Sequence, residues 1–114
     1  MTEREIDPHA AVDEMLLNRK KYAKAKAERT YLEEFRKSKK ALLMKQALTR
    51  GFEAVNAQER EAYADPDYTK LLETLRDQTQ AEEEFRWLML AAQMRVDIWR
   101  TQQANDRAEG RAVQ

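Results

Sequence analysis

Residues 66–99 read PDYTKLLETLRDQTQAEEEFRWLMLAAQMRVDIW. Tyr68, Leu71 and Leu75, then Phe85, Met89, Ala92, Val96 and Trp99, recur there at alternating three- and four-residue steps. Such a period places one apolar stripe along a helix, the side that a second helix covers. Gln78 and Glu82 occupy the steps in between, so polar groups interrupt the seam in its middle. Asp65-Pro66 supplies the start signal: Asp accepts bonds from free backbone N–H groups, and Pro at the first helical position loses none. Nothing breaks the pattern before Gly110, although the polar run Thr101-Gln102-Gln103-Ala104-Asn105 suggests fraying earlier.

The same start signal stands at Asp7-Pro8, and no breaker follows until Gly51. A helix over residues 8–50 is expected, about 65 Å long at ~1.5 Å per residue, with Gly51 at the left-handed cap position. Its apolar register is less regular, and Val12, Leu16, Tyr22, Ala23, Leu32, Phe35, Leu42 and Leu43 are its core candidates. Between the arms, Asn56-Ala57-Gln58-Glu59 has the form of a capping box and predicts a short helix over about residues 57–64. Two long helices with a compact connection fold back most simply on each other. The expectation is therefore an all-α antiparallel helical hairpin, one domain over residues 8–106, with flexible ends at 1–7 and 107–114 and disorder over 111–114.

Composition agrees. Gly and Pro appear twice each in 114 residues, which suits long helices with few turns. Absent cysteine removes any disulfide framework or thiolate metal site and fits a reducing cytosol, so a cytoplasmic location is expected. The longest apolar run, Trp87 to Ala92, is far below the roughly 20 residues that span a bilayer. Thr2-Glu3-Arg4-Glu5 is not followed by the apolar core of a secretory signal.

Zero net charge conceals a segregation. Residues 1–18 carry one basic and five acidic side chains, residues 19–50 twelve and three, and residues 51–114 eight and thirteen. The basic block contains Arg19, Lys20, Lys21, Lys24, Lys26, Arg29, Arg36, Lys37, Lys39 and Lys40, with Tyr22 and Tyr31 interleaved. Cations that neutralise phosphates and rings that stack on bases make a nucleic-acid surface, or a surface for an acidic partner. Against this, the charges wind around the helix, and pairing with the acidic second arm, including Glu82-Glu83-Glu84, or plain solvation accounts for them more simply.

A second stripe, Trp87, Leu90, Ala91, Met94 and Ile98, lies on another face of the second arm. One partner helix cannot cover both faces, so this helix requires the short helix, a folded-back N-terminus or a second subunit. A homodimer is favoured over a compact monomer because a single hairpin offers little to a second face. Trp99 reads either as a core cap at the open end of the hairpin or, beside Arg100, as an interface anchor.

Catalysis by this chain is not expected. His9 is the single histidine and sits in a first turn, where a capping role suffices. No nucleophile–base set, no Glu-x-x-His pair for a bundle di-iron site and no Gly-rich phosphate loop can be assembled. Glu82, Glu83 and Glu84 point in different directions on a helix and do not converge on a metal, so no cofactor is implied.

The elements Tyr31-Leu32-Glu33-Glu34-Phe35-Arg36, Arg60-Glu61-Ala62-Tyr63-Ala64 with Tyr68, and Ala91 through Trp99-Arg100-Thr101 resemble a group of small helical-hairpin proteins of tailed bacteriophages and prophages. The resemblance covers roughly residues 20–105 and implies an accessory role in phage DNA replication or recombination, without any activity or catalytic residue. The leading expectation is thus a non-enzymatic helical dimer that binds a DNA-processing protein or DNA. Two others stand beside it: an inhibitor of a host nuclease or defence protein, with Glu82, Glu83, Glu84 and Asp97 as an acidic mimic, and a purely structural helical oligomer.

Overall fold

The computed structural model describes residues 5–113, and side chains through Arg111. Three helices follow in order: α1 (Pro8–Thr49), α2 (Val55–Ala64) and α3 (Pro66–Val113). No strand occurs among the described residues, and the chain is an all-α helical hairpin of two long helices joined through a short one. Expectations about residues 1–4 and 114 lie outside the described residues.

Both anticipated start signals operate. The Asp7 carboxylate accepts from the backbone N–H groups of His9 at 2.9 Å and Ala10 at 3.2 Å. That of Asp65 accepts from the N–H of Asp67 at 2.8 Å. Gly51 closes α1 with φ +105°: its own N–H donates to Leu48 O at 3.0 Å, and the N–H of Phe52 donates to Ala47 O at 3.0 Å. This is the Schellman pattern, which satisfies carbonyls the helix end would orphan. A Cβ at Gly51 would meet no atom within 4 Å, so only backbone strain opposes a larger residue. Gly51→Ala is accordingly expected to cost about 1–2 kcal/mol, read as a lower midpoint in urea denaturation with an unchanged slope.

Three expectations are corrected. The capping box does not form: α2 begins at Val55, its N-cap is Ala54, and no side chain caps it. Gln58 instead donates from Nε2 to the carbonyls of Phe52 at 2.9 Å and Glu53 at 3.2 Å, tying the connection down from inside the helix. At the other end, α3 runs on through Gly110 to Val113 with no break at the polar run. A single helical glycine costs only about 1 kcal/mol relative to alanine and does not by itself stop a helix.

The register of α1 is the third. Val12, Leu16, Ala23 and Leu42 are exposed. Tyr22, Leu32, Phe35 and Leu43 are covered as expected, and the covered series along the first part of the helix is Ala11, Met15, Asn18, Tyr22, Ala25, Arg29 and Leu32, alternating four-and-three steps that pass one residue away from Val12, Leu16 and Ala23. On α3 the covered series is the expected one, Tyr68, Leu71, Leu75, Gln78, Glu82, Phe85, Met89, Ala92, Val96 and Trp99. Most of the bulk in the seam therefore comes from α3, and small residues on α1 give it room, because interaxial distance follows the side chains at the contact.

The chain divides into two compact units. In the first, residues of α1 up to Tyr22 pack with α3 from Glu83 onward. Ala11, Asn18 and Ala92 are buried there, and Glu14 pairs with Arg95. The second unit holds residues 23–82, the rest of α1, all of α2 and the start of α3. Its core is Leu43, Ala62 and Tyr68 with Met44 packed against them, one contribution from each helix. Tyr63 meets Tyr68 edge-on, centroids 5.4 Å apart, an arrangement favoured by the ring quadrupoles.

Candidate functional site

The basic block of α1 divides once the fold is in place. Arg29 lies on the covered face of the second unit and grips Glu82 of α3 with both Nε and Nη2, the latter at 3.1 Å. Its Nη1 donates to Glu33, one turn further along α1, at 2.9 Å. Glu82, only 8% exposed, is a buried carboxylate in an otherwise largely apolar seam. The hydrogen bond from Arg29 holds its pKa below the ordinary value, against the opposing effect of burial, and the guanidinium is correspondingly raised. A polar interruption legible in the sequence at Glu82 is thus a fork of two charge-assisted bonds.

Other members of the block are likewise engaged within the chain. Lys39 pairs with Asp67 of α3 at 3.8 Å, Lys40 with Glu59 of α2 at 3.5 Å, and Lys37 with Glu34 at 3.5 Å. Lys40 also sits 4.8 Å from the centre of the Tyr63 ring, and its pKa is raised chiefly by a hydrogen bond with that phenol. In the first unit, Lys21 lies 5.8 Å from the centre of the Phe85 ring. Lys26 is exposed and acts on Glu82 through its charge. Arg19, Lys20, Lys24 and Arg36 are exposed and form no ion pair among the described residues. Of the ten candidate cations, these four keep their charge for solvent or a ligand.

The second apolar stripe is on the surface. Trp87 is 57% exposed, and Leu90, Met94 and Ile98 are also exposed, while Ala91 is half-buried. At ~100° per residue these positions cluster about 180° around α3 from its seam with α1. Trp87, Leu90, Met94 and Ile98 stay exposed, with no described element of the first unit lying over them. Arg86 lies 5.0 Å from the centre of the Trp87 ring and pairs with Glu83 at 2.8 Å, the bond chiefly responsible for its raised pKa. Trp99 separates from this group: it is half-buried and lines a cavity of about 510 Å³ with Glu5, Ile6, Gln102 and Asp106.

In the second unit, Tyr31, the ring interleaved with the basic block, and Phe35, a core candidate, come together. Tyr31 and Phe35 stack almost parallel, centroids 5.8 Å apart and planes 8° apart, beside a groove of about 440 Å³. Lys70, on α3 beside the same groove, lies outside the basic block and carries no signal in the sequence that links it to Tyr31. No group of three or more His, Cys, Asp or Glu side chains among the described residues is placed to hold a metal ion, and no described helix is long and apolar enough to cross a membrane.

No family model matches the chain, and neither a curated protein nor a solved structure matches it.

Proposed function

We propose that this chain is a non-enzymatic accessory protein of a phage or prophage, acting in the cytoplasm as a helical dimer that holds a DNA-processing protein or DNA during replication or recombination. The observation that carries the reading is the uncovered stripe of Trp87, Leu90, Met94 and Ile98. Contiguous exposed apolar surface of this kind on a small helical chain marks a contact for another macromolecule, and aromatic and methionine side chains are the types that dominate such contacts. A second copy of the chain is the favoured occupant, since the described helices of a single hairpin offer little to a second face. The unpaired cations Arg19, Lys20, Lys24 and Arg36 supply the second contact, to phosphate or to an acidic partner.

An inhibitor built on acidic mimicry draws less support. Two of its carboxylates, Glu82 and Glu83, are engaged by Arg29 and Arg86.

Sedimentation velocity tests the dimer. Wild type is expected at twice the 13.5 kDa chain mass, and Met94→Glu, which sets a charge in the middle of the stripe, at the single mass with its helicity intact. A wild-type monomer at tens of micromolar would remove the dimer.

A further inference from the structure

The groove beside Tyr31 and Phe35 in the second unit combines an exposed aromatic ring, an apolar floor and lysines from two helices. Tyr31 is 62% exposed although its ring is stacked on Phe35, so an aromatic ring is held in a fixed orientation and still offers area to solvent. Leu32 and Leu71 form an apolar floor. Lys39 of α1 and Lys70 of α3 line the same space, with Asp67 as the only carboxylate among the lining residues. Asp67 is answered by Lys39 across 3.8 Å, a separation near the limit of an ion pair. Lys70 is exposed and forms no ion pair among the described residues. Lys24, also without an ion pair, precedes Tyr31 by two helical turns, about 10.5 Å along the axis.

From this juxtaposition we infer that the Tyr31–Phe35 groove binds single-stranded nucleic acid, taking one unpaired base against the exposed Tyr31 ring and the flanking phosphates on Lys70 and Lys24, the two cations here without an ion pair. The inference rests on the nucleic-acid branch of the proposed function. It narrows the ligand to single strands for a physical reason. In a duplex each base is already covered above and below by its neighbours, so the ring finds nothing to stack on, whereas an unpaired base offers a free π-face of any sequence. The positive side chains then track the backbone, and binding weakens as salt rises. The hollow is shallow and wide open to solvent, about 440 Å³, so a base lies over it against Tyr31 and is not enclosed by it.

Fluorescence anisotropy of the full chain with a labelled oligothymidylate and with a duplex of equal length decides it. The single strand is expected to bind tighter at equal salt. Tyr31→Ala should weaken it by roughly 5- to 100-fold, the range a stacked base provides, and Tyr31→Phe should restore it to within about twofold. Lys70→Gln should flatten the salt dependence by the ~0.7 of one single-strand phosphate contact. Tyr31 is exposed, and circular dichroism checks that each variant keeps its helices; should Tyr31→Ala lose them, Tyr31→Leu keeps the apolar bulk without the ring. Equal affinity for duplex and single strand, with Tyr31→Ala unchanged, overturns the groove while leaving a general basic surface standing. Absence of binding to either at low salt overturns both the groove and the nucleic-acid branch, and leaves the dimer and a protein partner untouched.

Discussion

Glu82→Leu is expected to lower the thermal unfolding midpoint by several degrees, and adding Arg29→Leu in the same molecule is expected to bring it back to the wild-type value or above. The single change leaves the guanidinium of Arg29 against an apolar seam with its principal partner gone. Glu33 still accepts from Nη1 at 2.9 Å and limits the loss. The double change replaces a desolvated ion pair by hydrocarbon at positions that already follow the apolar period, an exchange that is commonly neutral or stabilising. What the pair contributes is therefore register: with Ala11, Ala25 and Ala92 as small seats, a slip of one heptad would still bury apolar groups, but it would separate Arg29 from Glu82. Thermal melts of wild type and the two variants by circular dichroism check this. A double variant as unstable as Glu82→Leu would mean that the two side chains do not act on each other.

The acid limb of stability carries the same signature. Because the folded-state pKa of Glu82 is lowered, its contribution is fully present above the ordinary carboxyl value of 4.5. It is lost as pH falls below that value and through the depressed one, so nothing changes between pH 7 and about pH 5 on its account. The double variant should lose less stability over that acid window than wild type does.

How far these features were legible follows from the physics of each. Asp7-Pro8, Gly51 and Asp65-Pro66 act through their own backbone geometry, and they marked the three helix limits they occupy. The α3 stripe was legible because bulky residues hold it and tolerate few other readings. On α1 the reading took both Leu42 and Leu43 and placed Leu16 and Ala23 in the seam, whereas the covered face takes Leu43 but not Leu42, and Met15 and Ala25 in place of Leu16 and Ala23. Small residues buried to match bulk on the other helix leave no signal in their own sequence. Asn56 misled for a related reason: a polar residue three places before Glu forms a box only if the helix starts beside it, and α2 starts at Val55. At the candidate site, ten cations of α1 stood out but Lys70 of α3 did not, and sequence could not divide Arg29, Lys39 and Lys40, held by carboxylates across the fold, from Arg19, Lys20, Lys24 and Arg36. That division depends on long-range pairs such as Arg29 with Glu82, 53 residues apart.

Leu43→Ala is expected to destabilise the protein by about 3 kcal/mol, while the same change at the adjacent Leu42 costs well under 1 kcal/mol. Leu43 is 3% exposed in the cluster with Ala62 and Tyr68, where α1, α2 and α3 contribute one residue each. Truncation there leaves a cavity that three helices must share, and Ala62, already without exposed surface, has no side chain to move into it. Leu42 is half-exposed, so its truncation removes little that folding had hidden from water. Two leucines side by side in the sequence thus separate two registers of α1 that apolar content alone does not distinguish. Urea denaturation of both variants gives the comparison directly. Equal losses, or a larger loss at Leu42, would rotate the covered face of α1 by one residue and move Arg29 off Glu82, and Tyr31 and Phe35 off their groove, with it.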